Sequence, residues 1–205
     1  MTRILQINSS LNSTNGQSSR LASSLVDALR SARPAAELRV RDLAQVPVPH
    51  LDAATFAAFG TPAAQRTAVQ HAAVTLSDAL IAELREADVI VLGLPMYNFG
   101  VPSTLMAWFD HVARAGVTFR YTATGPQGLL GGKKVYVLAA RGGAYAGTPG
   151  DTQTAYVRDF LAFLGLTDVE FIYAEGLALG EVPRRQGLAA AQSRIAQAVA
   201  LPLAA

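Results

Sequence analysis

Short apolar runs recur along the chain, and each gives way to glycine, proline, serine or asparagine. They lie at Arg3–Ile7, Val89–Leu94, Val135–Ala140 and Val169–Tyr173. Unbroken apolar runs of this length are typical of strands that are covered on both faces, as in a parallel sheet. Leu38–Asp42 is a weaker candidate of the same kind. The pattern therefore predicts five parallel strands.

Helical periodicity fills the segments between these runs. Leu21, Leu25 and Leu29 repeat every fourth residue after Ser18 and Ser19, which we expect to cap the first helix. Further helices are predicted over residues 74–84, 102–114, 156–164 and 184–201. Strands that alternate with helices predict an α/β fold: a flavodoxin-like, doubly wound, five-stranded parallel sheet in three layers, with strand order 2-1-3-4-5.

No linker, internal repeat or low-complexity tract divides the chain, so we expect one domain over residues 1–205. Residues 50–70 lack a clear period, and residues 117–133 are rich in turn-forming residues. Both segments are interpreted as insertions.

Composition excludes several classes of protein. The absence of cysteine excludes disulfides, iron–sulfur clusters, thiolate zinc sites and a cysteine nucleophile, and it fits a reducing cytoplasm. The formal charge is only +2 with scattered basic residues, so nucleic acid is not an expected partner. No apolar run approaches the ~18 residues of a membrane span, and no secretory leader is recognisable. His50, His71 and His111 have no metal-binding spacing, so no metal is expected.

The segment after the first predicted strand is polar and uncharged. Residues 8–19 hold hydroxyl and amide side chains, and the first carboxylate of the chain is Asp27. Such donors in front of a helix can hold a phosphate dianion, although an ordinary polar loop is the alternative. The chain contains no Gly-x-Gly and no GxxxxGK[ST], which argues against dinucleotide and triphosphate loops. The monophosphate of FMN, held without a covalent bond, is the predicted ligand.

Two other segments that follow strands could contact a flat ring. Residues 95–102 combine two aromatic side chains, a thioether and an amide between prolines, a mixture that suits the faces and edges of a flavin. Residues 140–145 contain paired glycines, which permit close approach of the backbone. An ordinary turn with core aromatics and a common glycine turn are the respective alternatives.

Several motifs together resemble those of bacterial FMN-dependent NADH azoreductases. The motifs are Ser9-Ser10, Gln17-Ser18, Pro95–Phe99, Val112–Tyr121, Arg141–Gly143 and Ala174–Gly176, and the likeness spans nearly the whole chain. The resemblance implies a homodimer with two flavin sites at the interface. It also implies NADH as electron donor, and quinones and azo compounds as acceptors.

The resemblance also assigns residues to the site. It places FMN contacts at Ser10, Gly16, Gln17, Ser18, Met96, Tyr97, Asn98, Phe99, Ala140, Arg141, Gly142 and Gly143. It places Tyr121 and Phe163 on the substrate face. The chain departs from the family pattern at Ala140, where a serine is usual, at residues 100–102, and over residues 50–67.

We therefore expect an oxidoreductase that passes hydride from NADH through FMN to quinones and azo compounds in a ping-pong cycle, with no side chain assigned as an obligate acid or base. The alternative is a non-catalytic FMN electron carrier that docks to protein partners. The helix predicted over residues 102–114 carries an apolar side formed by Trp108, Phe109 and Val112. We expect this apolar surface to exceed what one sheet face covers and so to mark a contact between subunits.

Overall fold

A parallel sheet forms the centre of the computed structural model, which describes residues 1–200. The strands are β1 (Arg3–Asn8), β2 (Glu37–Asp42), β3 (Val89–Pro95), β4 (Phe119–Thr122), β5 (Gly125–Gly128), β6 (Lys134–Ala140) and β7 (Asp168–Ala174). Five of them pair in the order β2-β1-β3-β6-β7, and every pairing in this sheet is parallel. The predicted fold class and strand order are confirmed.

Helices cover both faces of the sheet. They are α1 (Gln17–Ala32), α2 (Ala53–Gly60), α3 (Ala68–Glu86), α4 (Ser103–Val112), α5 (Thr154–Phe163) and α6 (Glu181–Ala200). One apolar core joins the sheet to α1 and α6, and a second joins the opposite face to α3, α4 and α5. These are the three predicted layers. None of the helices over residues 1–200 combines the length and the apolar character that crossing a bilayer requires.

The insertions contain more regular structure than predicted. Asp52 caps α2 through the backbone N–H of Thr55. The helix α3 begins six residues before the predicted position 74, where Thr67 and Gln70 form a capping box. In the second insertion, β4 and β5 pair as an antiparallel hairpin. The predicted end of the last helix at residue 201 lies outside the described residues.

The apolar side of α4 belongs to the core. Trp108, Phe109 and Val112 are all nearly inaccessible, with at most 2% of their surface exposed. They pack among residues of the sheet, α3 and α5. The prediction that these three side chains form surplus surface for a subunit contact is therefore wrong, because the sheet and the neighbouring helices already cover them.

Strand register brings the carboxyl ends of the central strands to one edge of the sheet. Asn8 pairs with Gly93, Pro95 pairs with Ala140, and Ala140 in turn pairs with Ala174. The segments that follow β1, β3, β6 and β7 consequently emerge side by side. In doubly wound sheets this edge, next to the switch in strand order, is the usual place of ligand binding.

Candidate functional site

The loop after β1 is held against the neighbouring strand-end turn. Ser9 Oγ donates to the carbonyl of Gly93 at 2.7 Å, and Ser10 Oγ lies 3.2 Å from the hydroxyl of Tyr97. The Tyr97 hydroxyl also accepts from the backbone N–H of Leu11 at 3.2 Å. A Cβ atom at Gly16 would overlap Ser10 Oγ, so only glycine permits this close return of the chain.

The first turn of α1 presents unpaired hydroxyl groups. Gly16 is the N-cap residue, and no side chain caps the helix. The prediction that Ser18 and Ser19 cap it is wrong, because both lie inside the first turn. Their Oγ atoms are buried and have no hydrogen-bond partner within residues 1–200. Unpaired buried hydroxyls at a helix N-terminus, with no acidic residue in the first turn, form an environment that favours a bound anion.

Asp42 supports this loop from β2. Ser13 adopts a left-handed conformation, with φ of 50°, and its Oγ donates to Asp42 Oδ2 at 2.6 Å. The other oxygen of Asp42 accepts from the backbone N–H groups of Ala44 and Gln45. The sequence interpretation did not assign a role to Asp42. Its position at the end of a predicted strand was the available signal.

The segment after β3 forms a tight turn with an unusual backbone. Tyr97 and Gly100 exchange backbone hydrogen bonds, and the two residues between them, Asn98 and Phe99, have φ of 49° and 61°. This is the pattern of a type I′ turn, which glycine and asparagine favour. A left-handed phenylalanine stores strain, and such strain is typical of functional sites. The backbone N–H groups of Asn98 and Phe99 have no acceptor among the described residues.

The loop after β6 is joined to the turn after β3. The backbone N–H of Met96 donates to the carbonyl of Ala140 at 3.1 Å. The rings of Phe99 and Tyr145 meet edge to face, with centroids 5.5 Å apart. The Tyr145 ring also covers Gly143, where a Cβ would lie 2.7 Å from it. Gly142 is exposed, and its backbone remains accessible at the rim of the site.

Arg141 lies beneath this loop and has a different role from the predicted one. Its side chain is inaccessible, and it pairs with Asp151 at 2.8 Å and with Glu175 at 3.2 Å. Its backbone N–H and carbonyl are bonded to Ala174 and Leu177. Only Nε lacks a partner within residues 1–200. We therefore revise the predicted cofactor contact: Arg141 supports the loop from below.

The two carboxylates around Arg141 hold the loop at both ends. Glu175 Oε1 accepts from the backbone N–H groups of Tyr145 and Ala146 at 2.8 and 2.9 Å. Asp151 accepts from both the backbone N–H and the hydroxyl of Thr154. Burial would raise the pKa of Asp151, but hydrogen bonds from Arg141 and Thr154 outweigh burial and hold that pKa below its ordinary value. Residues 147–149, between the two anchors, are exposed.

The two aromatic residues predicted to line the substrate face lie outside the loops that follow β1, β3 and β6. Tyr121 on β4 is 75% exposed, and Phe163 is partly buried at the end of α5. Both contact the ring of Phe119. The first turn of α5 is close to the ligand loops, and nine residues of helix place Phe163 about 13 Å from it at ~1.5 Å per residue. The structure therefore does not bring Tyr121 and Phe163 to the loops of their own chain.

The remaining predicted residues converge as expected from the strand ends. The loop over residues 10–18, the turn over residues 96–99 and the loop over residues 140–143 are joined by the contacts of Tyr97 and Met96 described above. The arrangement can bind an anion at α1 and a flat polar ring beside the turn. The individual cofactor contacts remain predictions.

Comparison with known proteins agrees with this geometry. A family model described as the flavodoxin-like fold matches residues 2–199. An FMN-dependent NADH:quinone oxidoreductase of Burkholderia lata is 58% identical over 198 residues, which cover 97% of this chain and 100% of the relative. A protein of the same name from Cellvibrio japonicus is 56% identical over 98% of this chain and 100% of its own. The crystal structure of an azoreductase from Bacillus anthracis superposes with a TM-score of 0.89 at 27% identity, over 97% and 99% of the two chains.

Proposed function

The chain belongs to the flavodoxin-like family, and from this premise we propose that it is an FMN-dependent NADH:quinone oxidoreductase that also reduces aromatic azo compounds. The observation that carries the proposal is the convergence of three ligand loops around an α1 N-terminus with unpaired buried hydroxyls. A catalytic oxidoreductase agrees better with the relatives than a non-catalytic electron carrier does.

The residues present fit FMN. The hydroxyls of Ser18 and Ser19 are buried and unpaired over residues 1–200, so both are free to donate hydrogen bonds to a bound ligand. Phosphate oxygens are strong acceptors, and the helix N-terminus adds a favourable field. The N–H groups of Asn98 and Phe99 offer two further donors. When bound here, FMN supplies the chemistry of two-electron hydride transfer between a nicotinamide and an acceptor.

The protein positions and surrounds the cofactor. The loop over residues 10–18 would hold the phosphate, and the turn over residues 96–99 would lie along the ring, with its backbone N–H groups as donors. Gly142 leaves backbone exposed at the rim, and the buried Arg141 with its two carboxylates keeps that backbone in place. Because donor and acceptor would use the same open face in turn, we expect ping-pong kinetics.

A second copy of the chain completes the site in this proposal. Tyr121 on β4 is an aromatic residue with 75% of its surface exposed, and both it and Phe163, at the end of α5, contact the ring of Phe119. In a two-fold symmetric dimer, Tyr121 and Phe163 of one subunit could lie over the flavin of the other. The proposed assembly is a homodimer of single-domain subunits. Its proposed location is the cytoplasm, since NADH is an intracellular donor.

The decisive experiment uses the purified protein alone. We expect yellow protein with flavin absorbance, release of FMN on heating, and steady oxidation of NADH when a small quinone is supplied without a protein partner. Chromatography that identified FAD in the released flavin would contradict the cofactor assignment. Bound FMN without quinone-dependent NADH oxidation would favour the electron carrier instead.

A further inference from the structure

The strained turn after β3 is held by residues that lie far along the chain. Asn98 and Phe99 both have left-handed φ values, and Phe99 is 56% exposed, so packing of its own side chain does not fix it. A backbone in this conformation persists only where its surroundings enforce it. The surroundings of this turn include hydrogen bonds from residues at the start of α5.

Gln153 makes two of these hydrogen bonds. Its Nε2 donates to the carbonyl of Pro95 at 2.9 Å and to the carbonyl of Gly100 at 2.8 Å. Pro95 precedes the turn and Gly100 ends it, so one side-chain amide bridges both flanks. Thr152, the preceding residue, donates through Oγ1 to the carbonyl of Phe99. Three backbone carbonyl groups of the turn region, those of Pro95, Phe99 and Gly100, thus accept hydrogen bonds from two adjacent residues.

The amide of Gln153 is not explained by stability alone. The side chain is fully buried, and its Oε1 has no hydrogen-bond partner within residues 1–200. A buried acceptor without a partner destabilises the folded chain, and an apolar side chain of similar volume would avoid that loss. What the amide provides, and an apolar side chain would not, is the pair of hydrogen bonds to the carbonyl groups of Pro95 and Gly100.

We propose that Gln153 is a positioning residue for the cofactor: it fixes both ends of the turn over residues 97–100 and so directs the free N–H groups of Asn98 and Phe99 toward the flavin. The inference rests on the proposed function. Gln153 itself does not contact the ligand. It acts through the turn, and Thr152 assists it at Phe99.

Two substitutions separate positioning from filling of space. Gln153→Leu keeps similar volume and removes both donors. Gln153→Glu keeps shape, but it can donate one hydrogen bond only while protonated, and when ionised it faces two carbonyl oxygens. The nearest charged group along the chain is Asp151, whose oxygens are engaged by Arg141 and Thr154. Gln197→Glu, at an exposed site on α6, is the matched control.

FMN affinity is measured by fluorescence titration of the apoprotein between pH 5.5 and 8.5, relative to wild type at each pH. We expect Gln153→Leu to bind FMN at least tenfold more weakly at every pH. Gln153→Glu should approach wild type at pH 5.5 and fall at least tenfold below it at pH 8.5, whereas Gln197→Glu should follow wild type throughout. Equal affinity of Gln153→Leu and wild type would overturn the proposal, as would a Gln153→Glu profile parallel to wild type.

Failure of the proposed function is recognised separately, because wild type would then bind no FMN. If neither Gln153 variant folds, Thr152→Val decides, since residue 152 is exposed and its replacement leaves the core intact. We expect Thr152→Val to weaken FMN binding at least threefold with an unchanged melting temperature of the apoprotein. Unchanged affinity in that variant would count against the proposal.

Discussion

Arg141 Nη1 donates to Glu175 Oε1 at 3.2 Å, although the two residues lie 34 positions apart, and this contact joins the loops that follow β6 and β7. The same oxygen of Glu175 accepts from two backbone N–H groups of the first loop. With Asp151 as the second partner, the guanidinium pairs with two carboxylates inside the protein. Because the Arg141 side chain is inaccessible to solvent, water cannot take its place, and the network supports the ligand loop from inside the protein.

Removal of the guanidinium should destabilise the protein strongly. Arg141→Met leaves Asp151 and Glu175 without their cation, and loss of one partner from a buried pair costs about 3–5 kcal/mol of unfolding free energy. Arg3→Met, which breaks an ion pair with both side chains 58% exposed, should cost less than ~1 kcal/mol. Urea unfolding of the apoproteins measures both. Equal losses in the two variants would show that the buried network has no special role.

Ser18→Ala should have opposite effects on binding and on stability. Loss of a hydroxyl contact to the charged phosphate should weaken FMN binding by about 1.5–3 kcal/mol, or roughly ten- to hundredfold. The apoprotein should be as stable as wild type or slightly more stable, because the buried Oγ has no partner to lose over residues 1–200. Titration with FMN and thermal melting test the two effects.

The control for this prediction is Ser31→Ala, on the exposed side near the end of the same helix. It should leave FMN affinity unchanged. We expect Ser10→Ala to weaken binding as well, with an additional loss of stability, because Ser10 Oγ contacts Tyr97 and Asn12. Wild-type affinity in both Ser10→Ala and Ser18→Ala would refute the placement of the phosphate.

Tyr121→Ala should impair catalysis without loss of stability. The side chain is 75% exposed, so its truncation should change the unfolding free energy by less than ~0.5 kcal/mol. In the proposed dimer it should reduce kcat/KM for the acceptor, because each flavin loses an aromatic residue supplied by the other subunit.

Complementation tests the origin of that aromatic residue. In a mixed dimer of Tyr121→Ala with Ser18→Ala, the flavin site of the first subunit is intact and receives Tyr121 from the second. One site should then work with wild-type acceptor kinetics. Full activity of a monomer at the dilution of a sizing column would contradict the shared site.

His111 should make stability depend on pH near neutrality. Burial lowers its pKa from the ordinary 6.5, although a backbone carbonyl at Pro49 and the charges of Asp110 and Asp52 oppose that effect. Since the unfolded chain then binds the proton more tightly, stability is greatest above about pH 6.5 and falls as the pH drops through that value toward the folded pKa.

His111→Phe removes this dependence. We expect the unfolding free energy of wild type to fall relative to His111→Phe between pH 7 and pH 5. His71→Phe, at an exposed site on α3, should follow wild type over the same range. Urea denaturation at closely spaced pH values measures the difference, and parallel curves for wild type and His111→Phe would contradict the prediction.

The sheet was predictable because its strands are buried on both faces. The run predicted at 89–94 is β3 (Val89–Pro95), and its unbroken apolar character reflects cover on both sides. By contrast, β5 (Gly125–Gly128) contains no aliphatic β-former and no aromatic residue. Its position depends on close packing of Gly128 against Gly165, a tertiary contact that no local pattern reveals. The cap of α3 at Thr67 was a local signal that could have been used.

The ligand loops were likewise predictable from the ends of strands, but their supports were not. Ser18 lies where a polar loop enters a helix, and this position in the sequence was sufficient to identify it as a candidate phosphate contact. Gln153 lies 58 residues from Pro95, and Asp42 lies 29 residues from Ser13. Periodicity carries no information on contacts at such separations. The sequence alone cannot distinguish a buried arginine that supports a loop from one that binds a ligand. The role of Arg141 therefore became visible only in the structure.

The anchoring of the loop after β6 at both ends has a consequence for enzyme engineering. Arg141 with Glu175 holds its first half, and Asp151 with Thr154 holds its return to α5, whereas residues 147–149 between them are exposed and include a left-handed Gly147. Exposed loop tips of small residues tolerate changes of length. Libraries that vary the length and composition of residues 147–149 can therefore reshape the rim of the cleft while the anchors keep the cofactor cradle unchanged.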